Sequence, residues 1–186
     1  MGERSRNLAI WVLPECDSGP LGIGNTTGIV VDNTRLAETT KTQFHQKSRE
    51  PLCDLVLVVP RSGNWEPVLT DFGEFGEIKT AAKPDGTWGD FLKQLVLLAF
   101  EDGYECCAIT FSGFGPELIK TLKIAFELLS DGSQVVLKSW PDGRLHCLGL
   151  GGVYLECIRD VPWGTVGESM FIESEALRWH RSVRRF

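Results

Sequence analysis

The sequence predicts one α/β domain: a mostly parallel sheet flanked by helices, with one antiparallel hairpin. Two patterns carry that expectation. Short continuous apolar runs recur at 8–13, 52–59, 105–111 and 135–137, the mark of strands buried on both faces. Between them lie stretches with apolar residues at helical spacing, opened by capping residues and closed by glycine. Strands that alternate with such helices pack as helix layers on a parallel sheet. At 186 residues the chain suits a single domain over 1–186 and is short for two.

The first strand is read at 8–13, L-A-I-W-V-L. The glycine-rich loop after it, 19–28, stands where phosphates meet backbone amides, with Gly22 and Gly24 as candidate nucleotide contacts. Its spacing fits neither G-x-G-x-x-G nor the P-loop pattern. No Lys or Arg lies between Arg6 and Arg35, whereas Glu15, Asp17 and Asp32 do, and an acidic loop is a poor phosphate cradle without a metal. Residues 33–48 form a weakly marked helix, and 52–59 a second strand stopped by Pro60. The stretch 61–84 reads as an irregular insertion with room for an edge strand at 67–70, its acids forming a solvated face.

Thr87 and Asp90 are spaced as a capping box for a helix with a core stripe of Trp88, Phe91, Leu92, Leu95, Leu98 and Ala99, closed at Gly103. The next strand runs through 105–111 into the loop 112–115 and a helix opened by Pro116, which needs no amide partner in the first turn. A P-D-G-R hairpin turn at 141–144 follows the strand at 135–137 and leads into an antiparallel strand at 145–150. Thr165 and Glu168 are spaced as a second capping box for a helix to Arg178, followed by a basic tail at 178–186 that reads as a solvated helix end.

Composition excludes several classes. A net charge of −6 argues against a general nucleic-acid partner, since such affinity needs clustered cations. No run approaches the ~18 apolar residues of a membrane span, and the apolar run at 8–13 is too short for a secretory leader, so a cytoplasmic home is expected. Six cysteines show no C-x-x-C pair, which fits free buried thiols in a reducing compartment.

Taken together, A-F at 99–100, P-E-L-I at 116–119, V-V-L at 135–137, P-D-G at 141–143, L-G-L at 148–150 and V-P-W-G-T at 161–165 resemble, in order and spacing, a bacterial family. Its members are small GT-A-like proteins described as glycosyltransferases of the nucleotide-diphospho-sugar transferase superfamily. The likeness covers residues 87–178, and 8–13 matches the family's first strand. It implies a Rossmann-like, GT-A-type sheet that binds a nucleotide at the carboxyl ends of its first strands, normally with a divalent metal.

Much of the family's site chemistry is replaced. Where members carry P-G-x-x-K-T-R-L, this chain has P-E-C-D-S-G-P-L at 14–21 and no cation. Where they carry G-S-D-x-P, gapless alignment places Thr110 at the metal-binding Asp and Ser112 at the Pro. Mg²⁺ and Mn²⁺ want carboxylate oxygen, for which a hydroxyl is a weak substitute. The family's D-G-G-Y-Y becomes Asp142, Gly143, Arg144, Leu145 and His146. Asp142 fits either a catalytic acid or an Asp-Gly turn, Arg144 is a candidate replacement cation, and His146 is expected to be a hydrogen-bonded strand histidine.

Two functions compete. One is a degenerate domain that keeps the fold to bind a nucleotide, a nucleotide sugar, a protein partner or a second copy, needing no cofactor. The other is an active sugar or nucleotidyl transferase using Mg²⁺ or Mn²⁺, with catalytic Asp142 and contacts from Gly22, Gly24, Thr110, Ser112, Gly113 and Arg144. Loss of both the cationic loop and the metal Asp favours the first.

Overall fold

The computed structural model describes residues 6–12, 51–59, 75–82, 86–111 and 116–186. The described strands are β1 (Asn7–Val12), β2 (Cys53–Val59), β3 (Phe75–Ala82), β4 (Cys106–Thr110), β5 (Val135–Ser139), β6 (Leu145–Leu150) and β7 (Val183–Arg185). They form one sheet in the order β3-β2-β1-β4-β6-β5-β7. Every neighbouring pair is parallel except those of β6, which runs antiparallel to both β4 and β5. The expected mostly parallel α/β sheet with one antiparallel hairpin is therefore present.

Alternation along β1 builds the two layers. Leu8, Ile10 and Val12 face a core shared with α1 (Trp88–Glu101) and α3 (Glu168–Arg178), while Ala9 and Trp11 face α2 (Pro116–Ser130). Both sides of the strand are covered, which is why it reads as an unbroken apolar run. On α2 the stripe Leu118, Leu122, Ala125 and Leu129 is buried, as its spacing requires.

Local chemistry fixes the helix ends. The Thr87 hydroxyl oxygen accepts from the Asp90 amide at 3.1 Å and donates to the Asp90 carboxylate at 2.8 Å, so the first capping box forms. At the other end of α1, Gly103 takes φ +82°, a left-handed turn that a side chain would strain.

Four expectations are corrected. Leu98, expected in the core stripe of α1, is 55% exposed, because helical spacing turns it to the rim of the face that Leu92 and Ala99 bury. The stretch 61–84 contains β3, which adds the parallel edge strand to β2; the edge strand expected at 67–70 falls outside the described residues. Thr165 does not cap α3. Gly167 holds that position, the Thr165 hydroxyl donates to the Pro162 carbonyl at 2.8 Å, and the Glu168 carboxylate turns inward. The basic tail ends in β7, parallel to β5, with Arg185 paired to Glu173 on α3 at 2.6 Å. The helix expected at 33–48 and Cys16 lie outside the described residues, and the other five cysteines are free and buried.

A polar clamp ties the amino end of the sheet together. Asp54 accepts from the Tyr104 hydroxyl at 2.7 Å, the Glu77 amide at 2.8 Å and the Arg6 guanidinium at 3.2 Å. Burial works against its charge, but these three donors outweigh it and hold the carboxyl below its usual range. Arg6 also lies 4.3 Å over the Tyr104 ring, and burial with the Asp54 bond pushes that phenol up to about 12.

Candidate functional site

Strand order places the crevice. From β1 the sheet grows through β2 and β3 to one edge and through β4 to the other, so it reverses between β1 and β4. In open α/β sheets ligands sit outside the carboxyl ends of the strands at such a switch point. Thr110 ends β4 there. Because β6 is antiparallel, its first residues and the 140–144 turn lie at the same end.

Of the predicted site residues, Gly22, Gly24, Ser112 and Gly113 lie outside the described residues. The structure does bring Thr110 and the hairpin together. Thr110 is fully buried and pairs with Cys147, and its hydroxyl donates to the His146 carbonyl at 3.3 Å. The Phe111 amide donates to the same carbonyl at 3.0 Å. The residue at the expected metal position thus serves the strand ladder.

Asp142 is held by its own turn. Its Oδ1 accepts from the Arg144 amide at 3.0 Å, and its Oδ2 accepts from Arg144 Nε at 2.8 Å and Nη2 at 2.7 Å. Those bonds keep the carboxyl below its usual range, so it is ionised at neutral pH. Gly143 completes the turn at φ +87°, and a Cβ there would stand 2.7 Å from the Val166 carbonyl oxygen. The Asp-Gly pair therefore has a full structural account, and Arg144 is paired with Asp142.

His146 departs from expectation. The residue is 1% exposed, yet neither ring nitrogen has a hydrogen-bond partner among the described residues. Its ring lies 4.2 Å from that of Trp140. Burial, reinforced by the Lys138 charge and opposed by Glu117, pushes its pKa down to about 4, so the imidazole is neutral. Lys138 itself is tied to the Glu117 carboxylate and the Thr121 hydroxyl on α2.

Glu168 was hidden in the sequence by its resemblance to a capping residue. Its carboxylate accepts from the Leu145 amide at 2.8 Å and from the Gly164 amide, stitching the first residue of β6 to the P-W-G-T turn. Burial raises its pKa despite those two bonds. Trp163 of the same turn is buried, its ring 5.8 Å from that of Phe111, and its indole nitrogen has no partner among the described residues. The P-W-G-T phrase is a buttress between the hairpin and α1, where a Cβ at Gly89 would stand 3.4 Å from Trp163 Nε1.

The described residues do not fit a divalent ion. Thr110 offers a buried hydroxyl already bonded to a carbonyl, Asp142 is bound to a guanidinium, and no three His, Cys, Asp or Glu side chains among the described residues could hold a metal. No described helix is long and apolar enough to cross a membrane.

No family model and no curated protein matches the chain. Solved structures do. A protein of Desulfovibrio desulfuricans G20 named as a nucleotide-diphospho-sugar transferase superposes with TM-score 0.67 at 17% identity, over 98% of this chain and 80% of that one. A CMP:2-keto-3-deoxy-manno-octonic acid synthetase solved with CTP gives 0.52 at 8% identity, over 98% and 89%. A cytidylyltransferase of Leptospira borgpetersenii serovar Hardjo-bovis gives 0.50 at 9% identity, over 98% and 76%. Likeness at such identities is a statement about architecture. The chain has the GT-A-like fold of the nucleotide-diphospho-sugar transferases.

Proposed function

We propose that this chain is a degenerate transferase-fold domain: it keeps the crevice at the carboxyl ends of the strands for binding, without metal-dependent glycosyl or nucleotidyl transfer. The observation that carries this reading is the state of Thr110. At the position where the resemblance expects a carboxylate, a buried hydroxyl is bonded to the His146 carbonyl, and the acid across the hairpin, Asp142, faces Arg144. Diphosphate departure needs concentrated positive charge, usually a cation held by at least one carboxylate. Among the described residues, the two ion pairs Lys138 with Glu117 and Arg144 with Asp142 supply none in excess.

Three neighbours named for nucleotide-sugar or cytidylyl chemistry support a small nucleotide-type ligand as the first candidate, with a protein partner or second copy as the other. Of the tryptophans that could form a protein-binding patch, Trp163 is buried and Trp140 exposed, while Trp65 lies outside the described residues. The five buried free cysteines accord with a reducing, cytoplasmic setting.

The test is incubation with CTP, UDP-sugars and CMP-sugars in Mn²⁺ and in EDTA, following melting temperature and nucleotide release. The expected result is no release and any stabilisation equal in the two buffers. Metal-dependent stabilisation with turnover, both abolished by Asp142→Ala, would restore the active-transferase reading.

A further inference from the structure

We infer that the outer face of α3 is the contact surface of a symmetric dimer, in which the helix packs antiparallel against the same helix of a second copy. The helix is apolar on two opposite sides. Ile172 and Ala176 are buried in the core, while Met170 is 72% and Leu177 58% exposed, two turns apart on the other side. Exposed Val166 and Trp179 flank the helix at its two ends. A surface helix ordinarily turns a polar face to solvent, so large apolar side chains along its outer stripe mark a face that something covers.

Charges beside the stripe are matched within the chain. Arg178 bonds Glu175 at 3.4 Å, Arg185 bonds Glu173 at 2.6 Å and Arg181 bonds Glu156 at 3.2 Å. Anionic lipid and nucleic acid both bind through uncompensated cations, so this balance favours an uncharged, apolar contact. A second copy supplies one. Met170 and Leu177 lie equally far from the midpoint between Glu173 and Ser174, so a twofold axis there brings Met170 of each copy against Leu177 of the other. Ser174, small and exposed, stands beside the axis, where the two backbones come closest. Glu173 nears its own copy there, and its bond to Arg185 neutralises it. Antiparallel helices also set their dipoles head to tail. The four apolar side chains present on the order of 400 Å² per copy, about half of what a standard-sized interface buries on each side, which suits a weak, micromolar dimer. The inference stands on α3 and is independent of what the crevice binds.

Sedimentation velocity of the full chain, from about 1 to 300 µM, decides it. The expected result is a monomer–dimer equilibrium with Kd about 10–100 µM. Leu177→Glu and Met170→Glu are each expected to raise Kd about tenfold or more by placing a charge in the apolar contact, with melting temperature unchanged because both positions are exposed. Leu98→Glu, on the similarly exposed leucine of α1, is expected to leave the equilibrium as it is. Ser174→Cys reads the symmetry: a short bismaleimide should join two chains through position 174, above the background of the parent chain, whose five described cysteines are buried. Circular dichroism checks that each variant is folded, and should one unfold the others carry the test. A chain that stays monomeric throughout, a dimer indifferent to both α3 charge substitutions, a dimer that Leu98→Glu breaks equally, or one that does not cross-link at position 174 overturns the proposal. So does a monomer that binds vesicles of phosphatidylcholine with phosphatidylserine and loses them on Leu177→Glu, which would assign the stripe to lipid.

Discussion

At the amino end of the sheet Asp54 gathers three donors, from Tyr104, Glu77 and Arg6, whereas at the carboxyl end His146 and Trp163 are buried with ring nitrogens unbonded. Asn7 Oδ1 is the exception at the amino end. Buried polar groups in folded proteins are nearly always paired, because desolvation without a partner costs about 1–3 kcal/mol each. The amino end is tied by paired groups, whereas the carboxyl end holds two buried rings whose nitrogens have no partner among the described residues. That asymmetry supports the proposal that the carboxyl end is the working face, although a threonine stands where the resemblance expects a metal carboxylate.

The comparison is broken most severely from the amino end. Asp54→Ala leaves the Tyr104 hydroxyl, the Glu77 amide and the Arg6 guanidinium without their shared acceptor. A fully buried network would lose more, but half of Arg6 faces solvent, so about 2–4 kcal/mol is expected. Urea unfolding should show the midpoint falling with an unchanged slope. A loss under about 1 kcal/mol would make the clamp incidental.

Acid should act next, and through the other end. The His146 pKa sits at about 4 in the folded chain against an ordinary 6.5, so the unfolded chain binds the proton first. Stability from this group is complete above pH 6.5 and is lost as pH falls towards 4, by roughly 2–3 kcal/mol. Lys138 on β5 opposes protonation and Glu117 on α2 favours it. His146→Leu should flatten the profile between those limits; an equal acid slope in both proteins would assign the effect elsewhere.

How much of this was legible depends on which residues speak through local pattern. β1, β2, α1 and α2 follow from periodicity and caps, because their side chains meet partners set by the helix or strand repeat. β3 and β7 were missed: F-G-E-I-K-T-A-A and V-R-R lack a continuous apolar run, since edge strands have one side of their backbone unpaired and need less burial. Glu168 was misread because a cap signal and an inward carboxylate share the same T-x-x-E spacing; only the tertiary approach of Leu145 and Gly164 separates them. Thr110 stands at the end of β4, within the apolar run at 105–111, but its bond to the His146 carbonyl is a cross-strand fact that no single segment encodes.

Glu168 offers a middle-sized test. Glu168→Ala leaves the Leu145 and Gly164 amides without their acceptor, while relieving a carboxyl whose burial already raises its pKa. The two effects oppose, and a net loss of about 1–2 kcal/mol is expected by thermal or urea unfolding. Glu168→Gln, which keeps one acceptor oxygen, should recover part of it. If both variants unfold alike, the carboxylate's two amide bonds are not what holds the hairpin to the turn.

The smallest expected effect is the sharpest. At pH 7.5 His146→Leu removes two unbonded nitrogens and keeps the volume of a buried side chain, so stability should change by less than about 1 kcal/mol, in the stabilising direction if at all. Were His146 a structural residue like Asp54, the same substitution would cost several times more. The Trp140 contact supplies the second readout, because a branched aliphatic chain supports the indole less definitely than a flat ring at 4.2 Å. A variant that is as stable as the parent but has a shifted or broadened Trp140 indole resonance would place the retained imidazole in the geometry of Trp140. An unchanged indole resonance would show that the hairpin bonds of Trp140 fix the indole without it.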